Sequence, residues 1–301
     1  MTTHSQYRRL TTAALSLALS ACSPQGTNAP QAGTPASATV RVVAVERVYG
    51  DLAQQIGGAG VDVTTLLNSP SADPHEYEPT PRDADAVAAA DVVIENGLGY
   101  DAFAEKLAAA SPRAGRSILV VGALGGHHLG DNPHVWYEVN SLRHFSAAFA
   151  ADIVRRLPAQ RSGIARRRDR VDAWIDGLSA RLMGIASRHG GERVAITEPV
   201  FDYVLHAAGL VIATPPSFSH AIEEGNDPAP QDVDAMEALL ENRRVAAFVY
   251  NLQTVEPSTT RLLEVARSAS VHVVPVTETL PAGESTQTWI DGEVTALVRA
   301  L

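Results

Sequence analysis

The sequence predicts an α/β protein: two lobes, each built on a parallel sheet, joined by one long helix, with a ligand cleft between the lobes. Three observations carry this. Short β-branched runs alternate with helical patterns from residue 39 to about 140, strand signals vanish from 141 to 190, and the alternation resumes over 191–301. Strand alternating with helix implies a parallel sheet covered on both faces, with connections that cross over through the helices.

Residues 1–21 come first. Arg8 and Arg9 precede the apolar run LTTAALSLALSAC, which is too short to span a bilayer and reads as a secretory signal. The run ends at Cys22, the only cysteine in the chain, so neither an internal disulfide nor a thiolate metal cluster can form. Residues 22–38 are rich in Pro, Gly, Ser, Thr and Ala, with no charge and no large apolar side chain. Such a stretch buries too little surface to fold and reads as a flexible tether.

In the first lobe, VRVVAV (40–45) reads as a buried strand and VYGDLAQQIGG as a helix stopped by Gly57 and Gly58. VDVTTLL (61–67), DVVIENG (91–97) and SILVVG (117–122) read as further strands. RDADAVAAA and a segment through Leu107 read as the intervening helices. Leu142, Phe145, Phe149, Ile153 and Val154 then mark a helix that Pro158 ends. From Ser162 to Arg188 a second helical stripe runs through Ile164, Val171, Ile175, Leu178 and Leu182. At ~1.5 Å per residue that helix is about 40 Å long, the width of a small domain. Strands at 192–197, 210–213, 245–251 and 271–277 alternate with helices at 201–208, 231–241 and 258–269 in the second lobe.

The formal charge of -10, with Lys106 the only lysine, disfavours a polyanion, so nucleic acid is not an expected partner. In open α/β sheets ligands bind beyond the carboxyl ends of strands. Four metal-capable side chains stand there: His75 after strand 61–67, His134 after strand 117–122, Glu198 directly after 192–197 and Glu278 directly after 271–277. Two belong to each lobe. Prolines 74, 79 and 81 bracket His75, Pro133 precedes His134 and Pro199 follows Glu198, which stiffens each loop before an ion arrives. His127, His128, His206 and His220 sit in settings that suit solvent or packing better than ligation. Glu76 and Glu78 read as outer carboxylates, and Trp136 and Tyr137 as packing beside the metal loop.

SADPHEYEPTPRDADAVAAADVVIENGLGYD, DNPHVWYEV, TEPVFDYVLHAAGL and TETLPAGES resemble the manganese- and zinc-binding solute-binding lipoproteins of bacterial ABC importers. The likeness covers nearly the whole chain after the tether. It implies two Rossmann-like lobes bridged by one rigid helix, with the metal between them. It also implies His75 and His134 as first-lobe ligands, Glu198 as the third, and Glu278 at a position where aspartate is common. The segment ending in LSAC resembles a lipobox, which implies acylation of Cys22 and a monomeric lipoprotein. Such a protein stands on the outer face of the membrane, or in the periplasm, and serves an ABC permease and its ATPase.

Two imidazoles and two carboxylates make a site of intermediate hardness, open to tetrahedral zinc or to a more highly coordinated manganese. The histidine-rich loop common among zinc members shrinks here to GGHHLGDNPH, so the expected cargo is Mn2+ first, Zn2+ next and Fe2+ third. A secreted metallohydrolase is the rival reading, but Pro79 stands where HExxH needs its second histidine. A surface adhesin of the same fold has no distinguishing feature in the sequence.

Overall fold

The computed structural model describes residues 39–68 and 77–301; the signal, the tether, Cys22, His75 and Glu76 lie outside them. The two expected lobes are present, each with a four-stranded, all-parallel sheet. The first comprises β1 (Val40–Glu46), α1 (Arg47–Gly57), β2 (Val61–Leu67), α2 (Pro81–Ala89), β3 (Val92–Glu95), α3 (Ala102–Ala110), β4 (Ser117–Val120) and α4 (Val121–Gly125). Two long helices follow, α5 (Val139–Arg156) and α6 (Arg161–His189). The second lobe holds β5 (Arg193–Ile196), α7 (Asp202–Ala207), β6 (Val211–Ile212), α8 (Pro216–Glu223), α9 (Pro230–Glu241), β7 (Ala247–Asn251), α10 (Pro257–Ser268), β8 (His272–Val276) and α11 (Thr286–Ala300).

Strand order is β2-β1-β3-β4 in one lobe and β6-β5-β7-β8 in the other. The strands therefore correspond one to one, a repeat that the sequence does not reveal. Period-2 alternation sorts each strand's side chains onto two faces. Val42, Ala44, Val92 and Ile94 join Val194, Ile196, Ala247 and Val249 in one apolar core that runs through both lobes. The opposite faces are separate: Val43, Val45 and Val93 pack with Val87, Ala104 and Ala108, and Ala195 and Phe248 with Phe218, Met236 and Leu262.

Local chemistry sets the boundaries. Thr80 and Asp83 form a capping box at the start of α2, with Pro81 at the first helical position. Gly58, at φ 61°, ends α1 in a conformation that disfavours a Cβ. The fourth strand stops two residues before the expected end, because the chain turns into α4 and Gly122 N–H donates to Asn96 O at 2.9 Å.

The long helix α6 buries Ile164, Val171, Ile175, Leu178, Leu182 and Ile185 in the common core. Its polar side clamps elements from each half. Arg167 donates from Nε to Ile56 O at 2.8 Å and from Nη2 to Gly57 O at 2.7 Å, satisfying carbonyls at the end of α1. Arg181 and Trp174 both donate to Asp291 on α11, at 2.7 and 3.3 Å.

Helix α11 is absent from the sequence reading, although Trp289, Ile290, Val294, Leu297 and Ala300 form its buried stripe. It ties the chain's end back to the first lobe. Thr286 N–H and Oγ1 donate to Asp51 Oδ2 at 2.8 and 2.7 Å.

Truncating a side chain in the shared core should loosen both lobes together. Leu178→Ala is expected to lower unfolding free energy by about 2–5 kcal/mol in a single cooperative transition, read by urea denaturation. Two separated transitions, one per lobe, are the result that contradicts a common core.

Candidate metal centre

His134 lies in the loop between α4 and α5 and is almost fully enclosed, 1% exposed. Asn132, two residues earlier, holds it twice: Oδ1 accepts from the His134 backbone N–H at 2.9 Å and lies 2.7 Å from Nδ1. An amide oxygen only accepts, so Nδ1 carries the proton and Nε2 keeps a lone pair for an ion. The loop is anchored on both sides of the cleft. Asn96, following β3, donates to Pro133 O at 2.9 Å, while Asn132 Nδ2 donates to Pro199 O at 2.7 Å and Tyr203 OH donates to Asn132 O at 2.8 Å. Trp136 sets the ring edge-on, centroids 5.2 Å apart.

Glu278 comes from the second lobe, just past β8. Its Oε1 lies 3.7 Å from His134 Nε2 and accepts a 2.7 Å hydrogen bond from Tyr100 OH of the first lobe. The methylene that glutamate adds over aspartate carries the carboxylate across the cleft to these partners. Behind it, Glu293 Oε1 accepts from Thr277 N–H and Trp289 Nε1, each at 2.8 Å, and Glu293 Oε2 lies 2.6 Å from Tyr137 OH. The Tyr137 hydroxyl also meets Thr277 O at 2.7 Å, so this network fixes the backbone that presents Glu278.

Glu198 follows β5 and is 7% exposed. Asn251 at the end of β7 donates to Oε2 at 2.7 Å, and Thr254 donates to Oε1 at 2.8 Å. Burial pushes its pKa up to about 7; the two hydrogen bonds oppose this, and the charge of Glu278 adds to it. Burial also works against protonation of His134, but the carboxylates of Glu278, Glu223 and Glu198 outweigh it and hold the pKa above the usual imidazole value. Glu223 at the end of α8 has Oε1 3.9 Å from His134 Nδ1.

The structure thus brings His134 and Glu278 together and puts Glu198 within electrostatic reach of both. His75 lies outside the described residues, and among the described residues no three His, Cys, Asp or Glu side chains converge closely enough to hold an ion by themselves. The donor types present, one buried imidazole nitrogen, one buried carboxylate and one partly buried carboxylate, nevertheless suit a divalent transition metal. An open cleft of about 870 Å³ is lined by Gly99, Tyr100, Asn132, Pro199 and Glu223 among others, and so by hydrogen-bond partners and chain neighbours of these donors.

Four other histidines fall elsewhere. His220 is on α8, not in a loop as its glycine- and proline-rich surroundings suggest; Pro216 at the start of α8 supports a helix there. His127 is partly buried rather than free in solvent, because its Nε2 lies 2.8 Å from Glu138 Oε2. His128 and His206 are exposed. Sequence reasoning passed over Asn132, Asn251, Thr254, Tyr100 and Glu223. Only Asn132, two places before a proline-flanked histidine, had a local signal.

The family model for the periplasmic zinc-uptake complex component A, ZnuA, matches residues 42–300. A Thermotoga maritima protein described as metal-binding is 24% identical over 151 residues, 50% of this chain and 54% of that one, so the match spans about half its length. The iron ABC transporter substrate-binding lipoprotein MtsA of Streptococcus pyogenes is 24% identical over 233 residues, 72% of each chain. The manganese-binding lipoprotein MntA of Halalkalibacterium halodurans is 29% identical over 123 residues, 40% of each.

Two solved structures share the fold. FpvC of Pseudomonas aeruginosa, in complex with Mn2+, aligns with TM-score 0.71 and 21% identity over 87% of this chain and 98% of that one. The periplasmic zinc-binding protein TroA of Treponema pallidum aligns with TM-score 0.72 and 18% identity, over 87% and 99%. A family match running from the first strand to the last helix means that the chain belongs to the periplasmic zinc-uptake component A family, whose members are metal-binding solute-binding proteins of ABC importers and not enzymes.

Proposed function

We propose that the protein captures one divalent transition-metal ion outside the cytoplasm and delivers it to an ABC permease and its ATPase. The observation that carries this is the buried His134 imidazole, its Nδ1 proton fixed by Asn132 and its Nε2 facing Glu278 of the other lobe. The ligand set is His134, Glu198 and Glu278 with His75 as the fourth. Relatives named for iron and manganese, one similar fold solved with Mn2+ and another named for zinc binding support a transition metal as cargo.

Two carboxylates balance the ion's charge and two neutral imidazoles complete the set. Manganese is the first choice of cargo, zinc the second and ferrous iron the third. Raw affinity rises from manganese to zinc in most nitrogen and oxygen sites, so the preference depends on how many ligands the cleft supplies. Residues 1–21 act as the export signal, and acylated Cys22 on the 22–38 tether anchors the protein to the outer face of the membrane. No helix among the described residues is long and apolar enough to cross a bilayer.

Purified protein should take up one ion per chain. Asn132→Ala, which frees the imidazole without removing a ligand, is expected to weaken binding about 10- to 100-fold, and His134→Ala to weaken it further. Competition titration reads both. Wild-type affinity in the two variants contradicts the assignment.

Stability should also depend on pH in an unusual sense. Burial raises Glu198 to about 7, Glu293 to about 8 and Asp202 to about 6, against ordinary values of 4.5, 4.5 and 3.8. A carboxyl whose folded pKa is raised contributes fully below its unfolded value, and that contribution is lost as pH climbs through the folded value. With a chelator present, the melting midpoint should therefore fall between about pH 5 and pH 8, and added Mn2+ should reverse the trend by taking the protons' place. A cation-free midpoint that rises steadily over this interval rules the explanation out.

Cys22→Ala should move the protein from the membrane fraction to the soluble extracytoplasmic fraction. A variant that still sediments with membranes contradicts the lipid anchor.

A further inference from the structure

The matching strand orders pair β1 with β5 and β3 with β7. Glu46, the last residue of β1, is thus the first lobe's counterpart of Glu198, which follows β5. The two glutamates differ in what surrounds them. Asn251 at the end of β7 donates to Glu198, whereas Asn96 after β3 is engaged otherwise, accepting from Tyr49 OH at 2.6 Å and donating to Pro133 O.

Glu46 is 6% exposed, and no well-formed hydrogen bond reaches either carboxylate oxygen; its nearest polar groups are its own backbone N–H and the carboxyl of Asp101. Asp101 and Glu95 are its acidic neighbours, and Arg47 lines the same cavity. Burial first, and then the charges of Asp101 and Glu95, raise its pKa well above the carboxylate range. A buried acid whose closest side-chain partner is a second acid is costly unless a proton or a cation lies with them.

Glu46 also lines a small cavity, about 20 Å³, together with Leu67, Tyr100, Trp136 and Glu278. That is room for about one water-sized group. Tyr100, whose hydroxyl donates to Glu278, has its pKa raised by burial, by Glu278 and also by Glu46, so both carboxylates act on one phenol. Trp136 Nε1 on the same wall is likewise buried without a partner.

We propose that Glu46 is an additional carboxylate of the cation site, supplying the oxygen coordination that an ion of more than four ligands requires. It favours manganese over zinc because zinc is complete with four ligands, whereas manganese prefers six, mostly oxygen. This rests on the reading of the cleft as a cation site and adds to it a residue that sets the choice of ion.

The test compares wild type, Glu46→Gln and Glu46→Asp by competitive titration with Mn2+ and Zn2+, with the Mn2+ electron paramagnetic resonance spectrum as a second readout. Glu46→Gln keeps the shape and removes the charge. It should weaken Mn2+ binding at least about tenfold, leave Zn2+ binding near wild type and change the Mn2+ spectrum. Glu46→Asp keeps the charge on a shorter arm and should lose Mn2+ affinity partially, which carries the test if the glutamine variant does not fold. Unchanged Mn2+ binding in both variants, or equal losses for the two ions, overturns the proposal while leaving the cation reading intact. A wild-type protein that binds neither ion overturns both.

Discussion

One contact across the cleft governs the rest: a buried imidazole from the first lobe facing a carboxylate from the second, His134 Nε2 to Glu278 Oε1 at 3.7 Å. Each partner is held from behind by its own lobe and from the side by the other. Asn132 fixes the histidine tautomer and is itself bound to Pro199 O, and Tyr100 reaches over to hold Glu278. The shared apolar core and the clamps from α6 and α11 keep the lobes in this relation. This one contact is therefore set by packing, which would lower the ordering cost of the proposed capture.

The region between the lobes is rich in acid. Glu46 and Glu198 are buried and Glu278 and Glu223 partly so, and burial raises the first two. Without a cation, protons occupy part of this set. In the proposed function a divalent ion replaces them with a stronger and more directional counter-charge, which links capture to proton release. Selectivity then turns on the number of oxygens the cleft offers rather than on charge alone.

Both sheets are legible in the sequence because parallel strands buried on both faces read as continuous β-branched runs, as in VRVVAV and AFVYN. The long helix is legible because its stripe, from Ile164 to Ile185, spans about six turns. Helix α11 is harder: its first two turns, TQTWIDG, mix polar residues with glycine, and its partners Asp51 and Arg181 are 235 and 110 residues away. His134, Glu198 and Glu278 stand out through their position at strand ends. Asn251, Thr254, Tyr100 and Glu46 do not, because they reach the site through chain crossings that a single sequence does not display. The pairing of Glu46 with Glu198 emerges only from the strand order.

Anomalous diffraction from crystals grown with Mn2+ tests the cross-lobe site most directly. The expected result is one ion within bonding distance of His134 Nε2 and of the Glu198 and Glu278 carboxylates together. An ion held by side chains of a single lobe, with His134 unligated, contradicts it.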